Sequence, residues 1–321
     1  MTEDVFWGSA LTAVRRNGQY AADRASRRKS DTLAEMLDDD LVFAPGCFDC
    51  LSAAVLEGAG AQALFVSGAG LAASVAGLPD LGLLSLQEVT NAATNIVARS
   101  GLPVIVDGDN GFGNELNTAR TVAAIGQLGA AAIMIEDQVF PKRCGHLAQK
   151  SVIDRRQFAR KLKVALEICS EFNMLLIART DSLSIGGIDE AMERSRMAHD
   201  LGAHLTFVDA PRDMADIEQI GGLPGHKMYN VASGSTTPSL PFRDLKDIGF
   251  GLIVDPAVSL YPVIDGIRKA FAAVVAEGSA LPMTSFGMAP RDIFRAVGLD
   301  EWLDLENNVA NDFRAVTSFS E

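Results

Sequence analysis

The chain has 321 residues, of which 48% are hydrophobic and 21% charged, and its formal net charge is −13 at pH 7. This composition is typical of a globular protein, with enough residues for one large α/β barrel or two ordinary domains. The acidic balance argues against nucleic acid and anionic membrane surfaces as partners, because both attract clustered lysine and arginine.

Apolar runs that end in polar residues alternate with amphipathic stretches. We expect a polar, basic extension over residues 1–30, a core over 31–258, and a last barrel helix followed by a C-terminal helical region over 259–321. The predicted strands are residues 41–46, 63–68, 103–109, 132–138, 175–181, 205–210, 227–231 and 252–256. Continuously apolar strands are typical of a parallel sheet that is buried on both faces. Eight strand–helix units therefore predict a closed (β/α)8 barrel of the TIM type.

Helix signals lie between these strands. Ser85 and Glu88 form a capping box that begins a helix ending near Ser100. The stretch "DRRQFARKLKVALEICSEFN" repeats apolar residues with helical spacing, and Gly202 is placed to end a later helix. A doubly wound sheet is the alternative, since "SGAGLAA" matches a dinucleotide-binding pattern. However, the acidic residue near the expected offset of about 20 residues is Glu88, which belongs to the capping box.

Four cysteines bear on the compartment of the protein: Cys47, Cys50, Cys144 and Cys169. They are too few and too scattered for a disulfide framework, which favours a reducing compartment. Cys47 and Cys50 form one C-x-x-C pair with no second pair, so we disfavour zinc or redox chemistry there. No apolar run reaches the ~18 residues that a membrane span needs. We therefore expect a cytoplasmic protein.

Carboxylates gather at the predicted strand ends, which form one rim of a barrel. Asp107 and Asp109 end the third strand, where alternation would place both side chains on the same side, and Glu136 ends the fourth. Three oxygen donors with no convergent histidine or cysteine favour Mg²⁺ or Mn²⁺ over zinc. We predict a metal site here, although an isolated D-x-D is more often a surface turn.

Two further features are suited to an anion. Arg179 closes an apolar strand, where it either neutralises the acidic rim or binds a carboxylate with two hydrogen bonds, and the two roles are compatible. The "SGAG" that begins at Ser67 presents successive backbone N–H groups after a strand, which makes it a candidate anion cradle.

The stretch "FPKRCGHLAQK", residues 140–150, places one thiol among cations. Lys142, Arg143 and His146 surround Cys144, and neighbours of this kind lower the pKa of a thiol. The alternative is an exposed basic loop with an incidental cysteine.

Four segments resemble the isocitrate lyase / phosphoenolpyruvate mutase superfamily: "SGAGLAASVAGLPDLG", "VDGDNGFG", "IEDQVFPKRCGH" and "ARTD". The nearest branch is that of the methylisocitrate lyases, dimethylmalate lyases and carboxyphosphonoenolpyruvate mutase-like proteins, and the likeness covers about residues 31–280. The resemblance implies a Mg²⁺-dependent barrel. It makes Asp107 the direct or nearest metal ligand, with Asp109 and Glu136 acting through water and Asp80 nearby.

The same resemblance implies how a substrate is held. A keto-acid carboxylate would lie on Ser67, Gly68, Ala69 and Arg179, and Asn230 would end the seventh strand at the same site. Residues 138–150 would form a gating loop, in which Gly145 permits closure and Cys144 donates a proton. Lys142, Arg143 and His146 would tune this thiol and bind distal carboxylates. The C-terminal helices after Ser259 would be exchanged between subunits of a dimer of dimers.

Several positions depart from the family pattern. Phe48 replaces a usual tyrosine, Gly108 and Asn110 differ in the metal motif, Asp209 replaces glutamate and Asp255 replaces tyrosine. The wall for the second half of the substrate is therefore altered. The leading hypothesis is a Mg²⁺-dependent lyase that cleaves a methylisocitrate- or alkylmalate-like 2-hydroxy acid to a 2-oxo acid and a carboxylate. The rivals are a carboxyphosphonoenolpyruvate-type phosphonomutase, an oxaloacetate-type hydrolase or decarboxylase, and a barrel that binds small carboxylates without turnover.

Overall fold

Parallel strands close into a barrel in the order β1 to β8, and β1 pairs with β8. The structure is a computed structural model that describes residues 22–145 and 149–317. The strands are β1 Val42–Cys47, β2 Leu64–Val66, β3 Val104–Asp107, β4 Ala132–Glu136, β5 Leu175–Thr180, β6 Leu205–Val208, β7 His226–Asn230 and β8 Leu252–Asp255. The predicted (β/α)8 barrel is confirmed, and each predicted strand overlaps one of these.

Helices connect the successive strands, and further helices lie before β1 and after β8. The α-helices are α1 Ala22–Asp39, α2 Cys50–Gly58, α3 Gly68–Leu71, α4 Leu86–Arg99, α5 Glu115–Gln127, α6 Arg155–Phe172, α7 Leu183–Leu201, α8 Met214–Gly221, α9 Phe242–Ile248, α10 Leu260–Glu277, α11 Pro290–Arg295 and α12 Leu299–Thr317. A π-helical turn covers Ala72–Ala76 and a 3₁₀ helix covers Leu281–Phe286. None of the helices in the described part of the chain is long and apolar enough to cross a bilayer.

The helix signals in the sequence are confirmed. Ser85 and Glu88 form the capping box of α4, in which the Ser85 side chain accepts from the Glu88 N–H. Helix α6 buries Phe158 and Cys169 on its apolar face, and Gly202 follows α7 in the left-handed conformation, with φ of 104°. These signals depend only on residues that are close in sequence, so tertiary packing does not change them.

Apolar side chains fill both sides of the strand layer. Phe65, Ile105 and Phe207 belong to the cluster inside the barrel, whereas Val66 and Ile135 belong to the cluster between strands and helices. This alternation is the period of two that strand geometry imposes. Burial on both faces explains why the strands are continuously apolar in sequence.

Helix α1 packs against one end of the barrel interior. Its side chains Leu33 and Leu37 are buried in the same cluster as Val42 at the start of β1. The helix runs without interruption through residue 30, where the sequence predicts the end of an N-terminal extension. Residues 1–21 of that extension lie outside the described residues.

Candidate active site

A cavity of about 230 Å³ opens at the carboxyl end of the strands. The predicted site residues that line it are Ser67, Ala69, Asp80, Asp107, Lys142, Cys144, Gly145, Arg179 and Asn230. They come from strand ends and from the loop after β4, so the barrel brings together residues that are far apart in sequence. This is the mouth at which barrel enzymes carry their chemistry.

Asp107 and Asp109 lie around the backbone of Gly68. The N–H of Gly68 donates to Asp107 Oδ2 at 3.2 Å, and the N–H of Asp109 donates to Asp107 Oδ1 at 3.0 Å. A Cβ on Gly68 would lie only 2.9 Å from Asp109 Oδ1. The predicted reason for the pairing is wrong in one respect: β3 ends at Asp107, and Asp109 lies beyond it with φ of 47°. A turn, and not strand alternation, therefore orients the second carboxylate.

Lys142 is the cation of this acidic group. Its buried ammonium lies 2.5 Å from Asp80 Oδ1 and 2.8 Å from Asp109 Oδ1. Burial, together with Asp107 and Asp80, raises the pKa of Asp109 to about 6, although Lys142 opposes that rise. Burial would lower the pKa of Lys142, but the surrounding carboxylates raise it well above its usual value, so the ammonium stays charged.

A second charged group centres on Arg179. Its guanidinium lies 3.2 Å from Glu136, 2.8 Å from Asp181 and 3.3 Å from Asp209, and 5.5 Å above the ring of Phe207. Burial raises the pKa of Glu136 well above its usual value despite Arg179. Burial acts in the same direction on Asp181, but Arg179 and Lys150 outweigh it and lower its pKa to about 2.

The carboxylates of Asp107, Asp109 and Glu136 are better suited to a Mg²⁺ ion that keeps several water ligands than to an ion whose ligands all come from the protein. Glu136 Oε1 is buried and has no hydrogen-bond partner among the described residues, so it is available to accept from a metal-bound water. Within the described part of the chain, no three His, Cys, Asp or Glu side chains are grouped closely enough to bind one ion together. Mg²⁺ characteristically keeps several waters and takes only one or two carboxylates directly. The residues are compatible with that arrangement.

The loop after β4, which we call the flap (residues 138–150), contributes Lys142, Cys144 and Gly145 to the lining of the cavity. The N–H of Cys144 donates to the carbonyl of Asp80 at 3.0 Å, and the half-buried thiol residue lines the cavity. Gln138 holds the Arg143 backbone through two hydrogen bonds, of 2.8 and 3.0 Å. Arg143 is exposed, while His146 lies outside the described residues. The predicted effect of Lys142, Arg143 and His146 on the thiol stays a prediction.

Gly145 contacts the rim directly. A Cβ at this position would lie 1.8 Å from Asp209 Oδ2 and 2.7 Å from Arg179 Nη2. Only glycine lets the flap backbone approach these side chains in this way.

Three charged residues belong to the site although the sequence analysis does not predict them there. Asp181 and Asp209 follow the ends of β5 and β6, and the structure shows that both pair with Arg179. Lys150, the last residue of the flap, contacts both carboxylates. A lysine at the end of a loop carries no sequence signal for such a contact.

The opposite wall of the cavity is largely apolar. It consists of Val231, Ala232, Val254, Pro256, Ala257 and Tyr261. The Tyr261 hydroxyl donates to the carbonyl of Ser233 at 3.1 Å. The wall follows β7 and β8, and β8 ends at Asp255, one of the positions that depart from the family pattern.

The model of the phosphoenolpyruvate phosphomutase family matches residues 33–275, which is most of the chain. The chain is a member of the phosphoenolpyruvate phosphomutase family. This confirms the superfamily resemblance seen in the four sequence segments.

Curated relatives cover most of the chain. The 2,3-dimethylmalate lyase of Eubacterium barkeri is 32% identical over 84% of this chain and 94% of the relative. The chloroplastic carboxyvinyl-carboxyphosphonate phosphorylmutase of Arabidopsis thaliana is 35% identical, over 85% and 82%. The 2-methylisocitrate lyase of Aeropyrum pernix is 31% identical, over 77% and 80%.

Solved structures in the family have the same fold. A crystal structure of 2,3-dimethylmalate lyase superposes with a TM-score of 0.82 at 34% identity, over 88% of this chain and 95% of that one. Oxaloacetate acetylhydrolase, in complex with 3,3-difluorooxalacetate, gives a TM-score of 0.84 at 29% identity, over 88% and 98%. The predicted enzyme class, a lyase of carbon–carbon bonds, is supported by the lyases among these relatives.

Proposed function

We propose that this family member is a Mg²⁺-dependent lyase that cleaves a 2-hydroxy acid into a 2-oxo acid and a second carboxylate. The observation that carries the proposal is that Cys144 lines the same cavity as Asp107 and Arg179. One cavity thus combines a proton donor, a cation for a carboxylate and oxygen ligands for a metal. The lyases among the relatives support the same reaction class.

One set of residues would bind the half of the substrate that becomes the 2-oxo acid. Asp107 would hold Mg²⁺ with Asp109 and Glu136 nearby, and the ion would stabilise negative charge on the 2-oxo acid half. Arg179 and the backbone that follows Ser67 would orient the carboxylate of that half. Lys142 holds Asp80 and Asp109 in place.

Bond cleavage needs two proton movements. The bond between C2 and C3 breaks, and its electron pair stays on C3 beside the second carboxylate. C3 then takes the proton of the Cys144 thiol. The C2 hydroxyl becomes the keto oxygen, and the proton that it releases replaces the one lost by the thiol. The flap over the cavity excludes water, which would otherwise compete as a proton donor.

The lining favours an alkylmalate over a tricarboxylate such as methylisocitrate. Among the described lining residues, Lys142 and Arg179 are the cations, and both already contact carboxylates of the protein. The far wall offers Val231, Pro256 and Ala257, which suit an alkyl group and not a third carboxylate.

A pyruvate-coupled assay tests the proposal. We expect 2,3-dimethylmalate with Mg²⁺ to release a 2-oxo acid faster than 2-methylisocitrate does, and we expect EDTA to abolish the reaction. Cys144→Ser should lower kcat by about 10² to 10⁴, the range typical of a lost general acid. Absence of 2-oxo acid from both substrates would refute the lyase assignment.

A hydrolase or mutase is the second candidate, because the relatives include a phosphorylmutase and oxaloacetate acetylhydrolase. Phosphorus NMR would detect a new P–C resonance if the enzyme were a phosphonomutase. Formation of acetate and oxalate from oxaloacetate would identify the hydrolase.

A further inference from the structure

Lys150 carries a buried charge that the proposed mechanism does not use. Its side chain is 3% exposed, and its ammonium lies 3.0 Å from Asp181 Oδ1 and 3.7 Å from Asp209 Oδ2. The same ammonium donates a hydrogen bond to the carbonyl oxygen of Gly145. One side chain therefore joins the flap backbone beside Cys144 to the ends of β5 and β6.

Three buried carboxylates surround the guanidinium of Arg179. Glu136, Asp181 and Asp209 all lie within 3.3 Å of this one guanidinium, and each is at most 1% exposed. Buried carboxylates without a countercharge are strongly destabilising. Lys150 supplies the second positive charge to the two carboxylates that lie beyond β5 and β6.

The flap and the rim also meet at Gly145. Since a Cβ there would overlap Asp209 Oδ2, the backbone of Gly145 lies directly on the carboxylate that Lys150 contacts. The Lys150 ammonium therefore contacts both the flap backbone and the charged rim.

We propose that Lys150 is a positioning residue that fixes the Cys144–Gly145 backbone over the cavity and balances Asp181 and Asp209, which leaves Arg179 able to bind the substrate carboxylate. The part concerning substrate rests on the proposed function, whereas the part concerning the flap does not. Lys150 itself does not touch the reacting atoms in this role.

Alkylation of Cys144 by iodoacetamide, followed by peptide mass analysis, tests the flap role without any substrate. We expect Lys150→Met to raise the alkylation rate of Cys144 about tenfold, because the backbone loses its attachment to the rim. Lys150→Arg should stay within about threefold of wild type, since it keeps both the charge and a donor. Lys163→Met, at an exposed lysine of α6, is the matched control and should not change the rate.

Kinetics test the second role. With an alkylmalate substrate, we expect Lys150→Met to raise KM and lower kcat together, by at least tenfold in kcat/KM, and Lys150→Arg to restore most of the loss. If Lys150→Met does not fold, Lys150→Gln keeps a donor without the charge and replaces it in both measurements.

The two proposals fail in different ways. An unchanged Cys144 alkylation rate in a folded Lys150→Met or Lys150→Gln protein would overturn the positioning role. If wild type shows no lyase activity but the alkylation rate still depends on Lys150, the proposed function is wrong and the flap role stands.

Discussion

Gly145 is the residue at which the flap backbone contacts the barrel rim. Its missing Cβ leaves room for Asp209 and Arg179, which a methyl group would approach to 1.8 and 2.7 Å. We expect Gly145→Ala to lower kcat/KM at least 100-fold, because the flap must move away and take Cys144 with it. Stability should change little, since a displaced flap relieves the overlap. Steady-state kinetics and thermal melts measure the two effects.

Gly58 provides the control for that substitution. It ends α2, is exposed, and has no atom within 4 Å of an added Cβ. Gly58→Ala should leave activity unchanged, and a helical alanine should stabilise the fold by about 0.5–1 kcal/mol. If Gly145→Ala were as active as Gly58→Ala, the close contact of the flap would have no role in catalysis.

The cysteines should differ sharply in reactivity. Burial raises the pKa of Cys47 and of Cys169 to about 12, so at pH 8 about one thiol in ten thousand is ionised at either position. Burial also raises the pKa of Cys50. We expect iodoacetamide at pH 8 to modify Cys144 first, as read from modified peptides. Faster labelling of Cys47 would contradict the burial of β1.

At the scale of elements, Arg194 ties helix α7 to the end of β4. Its buried guanidinium lies 3.0 Å from Asp137 Oδ2 and 2.7 Å from Glu190 Oε1, and it donates to the carbonyl of Ile153 at 2.8 Å. Arg194→Met leaves Asp137 buried without this cation. We expect a loss of about 3–5 kcal/mol in the free energy of unfolding at pH 8, measured by urea denaturation.

The loss should be smaller at pH 5. Burial already raises the pKa of Asp137 to about 6, above its value in the unfolded chain, and removal of Arg194 raises it further. A carboxyl whose folded pKa is raised destabilises the fold as pH rises through the window between the two pKa values. Arg196→Met, at an exposed arginine of the same helix, should change stability by less than about 0.5 kcal/mol at either pH. Equal losses of stability at pH 5 and pH 8 would show that the effect of removing Arg194 does not depend on the ionisation of Asp137.

At the scale of the whole molecule, helix α10 leaves an apolar face uncovered. None of its side chains is buried, and Ile267, Phe271 and Val275 are 64%, 68% and 64% exposed at four-residue intervals. A contiguous apolar stripe of this kind typically marks a protein–protein interface. The predicted dimer of dimers, in which the C-terminal helices are exchanged between subunits, stays a prediction, and this stripe supports it.

Light scattering tests that prediction. We expect wild type to be a dimer or a tetramer, and Ile267→Asp combined with Phe271→Asp to reduce the measured mass, since a buried carboxylate at each contact is unfavourable. Lys269→Glu changes charge on the opposite side of the same helix, at an exposed lysine, and should leave the mass unchanged. A wild-type monomer at micromolar concentration would refute the proposed association.

The sequence by itself determined the barrel and its rim. Local sequence patterns are set by neighbours a few residues apart, so they can be predicted without a structure. They include the strand periodicity, the Ser85 capping box and the helix end at Gly202. The acids that end the strands followed from the same pattern, because parallel strands place their carboxyl ends at one mouth.

Only the tertiary structure decided which charges meet. Lys142 pairs with Asp80 and Asp109, and Lys150 pairs with Asp181 and Asp209, across long separations in sequence. Coulomb attraction depends on distance in space and on burial, and neither is encoded in the residues beside a lysine. The turn at Asp109 and the close approach of Gly145 were hidden for the same reason, since each depends on packing between segments that the barrel brings together.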